Sequence, residues 1–138
     1  MKKLIAVLAL SVAGIVGCEK KSGTAPSVDP NQPGAVRKLT IMASGDHTIT
    51  QNETDDVKIT VTRDNFKEAV TIEVTNLPTG ISVDSKDMTI PADQNMITIR
   101  LKATADAPAT KDATFHIVGK SKDIKSDQMN VKLTVKVK

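Results

Sequence analysis

The sequence runs to 138 residues with a net charge of +3, a hydrophobic fraction of 39% and an aromatic fraction of 1%. That length holds one hydrophobic core plus appendages. Lys2 and Lys3 supply two of the three surplus charges, leaving no basic excess of the kind a nucleic-acid partner requires. Tyr and Trp are absent, Phe66 and Phe115 are the aromatic residues, and Cys18 is the one cysteine, which argues against a stacking sugar groove and excludes a disulfide within these residues.

Met1-Lys2-Lys3 opens the chain as a short positive segment, and Leu4 to Val16 follows as an apolar run. The run suits a signal-peptide core, whereas crossing a bilayer takes about 20 apolar residues. Ile15-Val16-Gly17-Cys18 then resembles the lipobox of bacterial lipoproteins, with Ile15 and Val16 departing from its commonest residues. The resemblance implies cleavage between Gly17 and Cys18, so that residues 1–17 are a signal peptide. It also implies a diacylglyceryl thioether on Cys18, the nucleophilic side chain at that point. Two or three acyl chains, at about 0.8 kcal/mol per buried CH₂, make a stable anchor, so a membrane reached through Cys18 is the expected partner. Glu19, rather than Asp, after the lipidated position favours the outer membrane over the inner in the well-studied sorting system.

Residues 18–36 read as the lipidated cysteine and a flexible tether. Pro26, Pro30, Pro33, Gly23 and Gly34 punctuate a segment with almost no bulky apolar side chain, which cannot bury enough surface to offset its ordering entropy. Fully extended it would reach about 60 Å, and as a coil about 23 Å. Lys20 and Lys21 read as part of a solvated spacer, although each would gain about 1 kcal/mol against anionic headgroups.

From residue 37 to residue 138 the pattern becomes strict alternation, the signature of half-buried strands. Leu39 to Met42 is a first short candidate. Val57, Ile59 and Val61 alternate with Lys58, Thr60 and Thr62; Val70, Ile72 and Val74 alternate with Thr71, Glu73 and Thr75. Ile81 to Val83 and Met88 to Ile90 are short candidates, and Ile97, Ile99 and Leu101 form a longer one. Phe115 and Ile117 flank His116, and Val131, Leu133, Val135 and Val137 alternate with Lys132, Thr134, Lys136 and Lys138. No sustained 3.6-residue period marks a helix. About seven strands separated by turn-rich segments predict an all-β, immunoglobulin-like antiparallel sandwich over residues 37–138. The last strand reads as an edge whose outward lysines discourage pairing between copies, or which accepts a partner strand.

Ile59-Thr60-Val61-Thr62-Arg63, Phe66-Lys67, Val70 to Val74 and Leu77-Pro78-Thr79-Gly80-Ile81 resemble the Ig-like modules of bacterial secreted and surface proteins. These are similar to the NPCBM-associated and alpha-galactosidase-associated β-sandwich repeats found in planctomycete exoproteins. The likeness covers residues 55–120 and implies an accessory fold rather than an activity.

Candidate chemistry is sparse. Leu77-Pro78-Thr79-Gly80 resembles a sortase signal but reads as an interstrand turn, since Pro presets φ and Gly tolerates positive φ. His47 and His116 lie in different segments without a zinc-ligand pattern. Asp55-Asp56 and the pair Asp84 and Asp87 lack the glycine-spaced loop of a calcium site. Ser44, Asp46 and His47 are near neighbours unaccompanied by a nucleophile motif. Lys120, Lys122 and Lys125, with Asp123 and Asp127, read as a mixed-charge exposed connection. The expectation is a non-catalytic envelope interaction or structural module, without cofactor or metal, whose partner is an envelope protein or polysaccharide and not nucleic acid. The alternative is a ligand-binding accessory module for a carbohydrate or divalent cation.

Overall fold

The computed structural model describes residues 34–138. Gly17 and Cys18, the signal peptide and most of the tether lie outside the described residues.

Ten strands form among these residues: β1 (Lys38–Ala43), β2 (His47–Thr50), β3 (Thr54–Asp64), β4 (Val70–Thr75), β5 (Ile81–Val83), β6 (Thr89–Ile90), β7 (Met96–Ala103), β8 (Thr110–Ser121), β9 (Ile124–Lys125) and β10 (Met129–Lys136). They build two sheets, one ordered β1-β3-β7-β5 and the other β2-β10-β8-β4-β6, with β9 paired to β8. The expected Ig-like, all-β sandwich is what forms. The chain changes sheet between β1 and β2: β1 pairs antiparallel with β3, and β2 then pairs parallel with β10.

Alternation drives the layering. Val57, Ile59 and Val61 of β3, Ile99 and Leu101 of β7, Val70 and Ile72 of β4, and Val131, Leu133 and Val135 of β10 are buried between the sheets. Phe115 and Ile117 of β8 meet them from the middle of the second sheet, both fully buried. Gly119 continues that inward face. A Cβ there would lie 3.0 Å from Ile41 and 3.2 Å from Leu39, so its bare backbone leaves room for β1 to close over β8.

Three expectations need correcting. Strands β2 and β9 were not anticipated, because His47-Thr48-Ile49-Thr50 and Ile124-Lys125 each carry a single aliphatic residue. The last strand ends at Lys136, and Val137 is 61% exposed rather than inward. That strand is also no edge, since β10 lies between β2 and β8, so its lysines project from the interior of a sheet.

Both poles are tied by single polar side chains. At one, the Arg63 guanidinium donates to the carbonyls of Glu68, Gln94, Ile90 and Pro91 and to Asn95 Oδ1, at 2.7–3.2 Å, joining the β3–β4 and β6–β7 loops. Burial lowers the Arg63 pKa, partly opposed by Asp93. At the same pole Asn65 Nδ2 donates to Val36 O, and Arg37 lies over the Phe66 ring at 5.5 Å. At the other pole Gln51 donates from its side chain to Ala107 O and from its backbone to Lys136 O, and its Oε1 accepts from Lys138 N.

Candidate functional site

The β1–β2 connection, Ser44-Gly45-Asp46, carries the chain from one sheet to the other and brings polar side chains together. Ser44 N–H donates to Lys58 O at 2.8 Å, and Lys58 N–H donates to Ser44 Oγ at 3.1 Å, so β3 fixes the serine. His47 follows on β2 with its ring largely covered, 10% of the side chain being exposed. Its Nε2 lies 3.0 Å from Ser44 Oγ and its Nδ1 lies 2.5 Å from Asp55 Oδ2 on β3.

The protons follow from the chemistry of the groups. An ionised Asp55 only accepts, so Nδ1 carries a hydrogen; in the neutral ring Nε2 is then an acceptor, and the Ser44 hydroxyl donates to it. Ser44, His47 and Asp55 thus form one relay in which each donor meets an acceptor. The relay clasps the sheet-switching connection onto β3. It also has the hydrogen-bond connectivity that activates a serine nucleophile.

Along the sequence Asp46 is the carboxylate nearest Ser44 and His47. The structure leaves Asp46 exposed in the turn and supplies Asp55 instead, from a different strand. The strand pleat offered a partial signal, since Asp55 and Asp56 must point to opposite faces. Asp56 accordingly turns away, to the Arg100 Nε at 2.9 Å, and this bond holds its carboxyl below the ordinary range.

The other sequence candidates are scattered. His116 Nδ1 lies 2.9 Å from Asn130 Oδ1 on the exposed face of the second sheet, and the two histidines share no ligand set. Asp87 Oδ1 accepts from Thr89 N, while Asp84 N–H donates to Arg100 O. Among the described residues, no three His, Cys, Asp or Glu side chains are placed to hold a metal ion together. Leu77 to Gly80 is a turn: Ile81 N–H donates to Pro78 O, and Gly80 takes φ +78° with Ala107 where its Cβ would stand. Lys120 pairs with Glu73 at 2.6 Å, and Lys122-Asp123 is the two-residue turn of the β8–β9 hairpin. An open depression lined by Val61, Arg63, Phe66, Lys67 and Asp93 lies toward the far end of β3 from Asp55.

No family model and no curated protein matches this chain. Among solved structures, the crystal structure of domains 4 and 5 of the S-layer protein SbsC is similar at 19% identity and a TM-score of 0.49, over 74% of this chain and 46% of that one. This chain therefore spans less than half the length of that structure.

Proposed function

We propose that the protein is a lipid-anchored, Ig-like envelope module that holds or contacts another envelope component, a protein or polysaccharide, by position rather than by turnover. The observation that carries this reading is that the segment before the first strand and the segment after the last strand are held at opposite poles of the sandwich. Val36 is bound at Asn65, just past the end of β3, and Lys138 is bound at Gln51, just before its start. The 11 residues of β3, at ~3.3 Å each, set these two segments about 35 Å apart. A sandwich entered at one pole and left at the other, with each pole tied by an arginine or glutamine hub, acts as a rigid spacer along its length.

The lipobox-like Ile15-Val16-Gly17-Cys18 and the proline-punctuated residues 19–36 fit that geometry, because they lead to the Asn65 pole. An anchor on Cys18 would leave the Gln51 pole outermost, with the outer membrane as the favoured site. The resemblance of residues 55–120 to accessory sandwich modules points the same way. The test is intact mass of membrane-extracted protein, wild type beside Cys18→Ser, from a host with lipoprotein-processing enzymes. The expected wild-type mass is residues 18–138 plus a diacylglyceryl group, with or without a further acyl chain. A lipid-free wild-type chain in the soluble fraction would refute the anchor.

A further inference from the structure

We propose that Ser44 is an activated nucleophile that accepts an acyl group from activated carboxylic esters, with His47 as its general base and Asp55 as the residue that positions the imidazole. The proposal goes beyond the spacer reading and is independent of it, since it concerns one side chain on the sandwich and not the anchor.

Three observations carry it. The relay is complete: Ser44 Oγ to His47 Nε2 at 3.0 Å and His47 Nδ1 to Asp55 Oδ2 at 2.5 Å. The imidazole is sheltered, with 10% of its side chain exposed, whereas Ser44, Gly45 and Asp46 are exposed, so an electrophile reaches the serine's turn more readily than the base. The turn is uncrowded at its centre, because a Cβ on Gly45 would meet nothing beyond its chain neighbours within 4 Å. A clasp alone would not require an accessible hydroxyl.

In the reaction Ser44 Oγ attacks the acyl carbon of an aryl ester. The new Oγ–carbon bond forms as the carbon–aryloxide bond breaks, the hydroxyl proton passes to His47 Nε2, and the imidazolium returns it to the departing phenolate. The oxyanion receives little help: the serine's own N–H is held by Lys58 O at 2.8 Å. Both half-reactions lack preorganised donors, but the aryl ester carries a good leaving group, whereas the acyl-serine is an unactivated alkyl ester. Ser44 is therefore a stoichiometric acyl acceptor, releasing one equivalent of the phenol in a burst and turning over slowly.

The experiment treats the full chain with p-nitrophenyl acetate and, separately, with a fluorophosphonate probe, followed by intact mass and peptide mapping. The expected result is a single adduct on Ser44, formed about tenfold or more faster than on the exposed Ser82 of the same molecule, as general-base assistance predicts. Labelling should become slow in His47→Gln, which keeps a polar side chain but offers no base to the hydroxyl. Asp55→Asn should slow labelling and move the His47 ring hydrogen from Nδ1 to Nε2 by nitrogen NMR, a change that a purely packing role would not produce. Equal labelling of Ser44 and Ser82 in the wild type overturns the proposal without recourse to any variant. An unchanged rate in folded His47→Gln overturns it as well, and an unchanged tautomer in Asp55→Asn removes Asp55 from the mechanism.

Discussion

Two buried serines beside the β8–β9 hairpin have opposite surroundings. Ser126 Oγ accepts from Gly119 N–H at 2.9 Å and donates to Asp127 O at 2.8 Å, while Ser126 N–H donates to Gly119 O. The hydroxyl thus stands in for a strand carbonyl opposite Gly119. Ser121 is as deeply buried, yet its Oγ finds no partner among the described residues. Removing a buried partner costs the desolvation of the group left behind, so Ser126→Ala should lose about 1–3 kcal/mol by urea unfolding. Ser121→Ala removes an uncompensated hydroxyl and should be neutral or gain up to about 1 kcal/mol. A loss at Ser121 matching that at Ser126 would contradict this assignment. Neither role was legible in the sequence, where both serines sit in a run of lysines and aspartates. The bond between Asp55 and His47 is hidden for the same reason: Asp55 reads only as half of an acidic pair, because a hydrogen-bond partner on another strand depends on the folded path.

Elements were legible wherever several aliphatic residues alternate. The pleat of β3, β4, β7 and β10 could be read from Val57, Ile59 and Val61 and their counterparts, because alternation is the same signal in sequence and in burial. β2 was missed because it carries Ile49 alone, so its existence rests on pairing rather than pattern. Ile49 is nonetheless 2% exposed, and β2 covers the side of β10 away from β8. Docking of β2 should therefore depend on that one side chain. Ile49→Ala should cost about 2–5 kcal/mol, as cavity-forming truncations do. Amide exchange should also accelerate at Leu133 to Lys136, which pair with β2, before it accelerates along β3. Uniform acceleration across both sheets would show that β2 has no local role. The supposed edge character of β10 failed for a related reason, since its lysines mark one solvated face and alternation carries no information about lateral neighbours.

At the scale of the molecule, charged pairs join segments on the solvated side of the sandwich. Arg37 meets Glu68 at 2.5 Å and ties the entering chain to the β3–β4 loop, and Arg100 meets Asp56 across the β3–β7 ladder. Hydrogen bonding to Arg100 lowers the Asp56 pKa, hydrogen bonding to Arg37 lowers that of Glu68, and a hydrogen bond with Thr104 lowers that of Asp106. A carboxyl that titrates lower in the folded chain than in the unfolded chain binds fewer protons when folded. Its contribution to stability is then full above the ordinary carboxylate range and is lost as the pH falls through the lowered value. All three groups shift in the same direction, so thermal stability should hold from neutral pH to the top of that range and fall as the pH drops through the lowered values. The pairs are exposed, so each loss is small and salt should blunt it. Replacing Asp56 by Asn and Glu68 by Gln together should lower Tm slightly at neutral pH and flatten its decline in acid, with Asp106 keeping a residual slope. If the double variant declined as steeply as the wild type, the acid sensitivity would lie outside these pairs. Because Glu68 sits at the pole where the chain enters, its protonation should release Arg37, and acid should raise amide exchange around Arg37 less in Glu68→Gln, where that contact is already lost, than in the wild type.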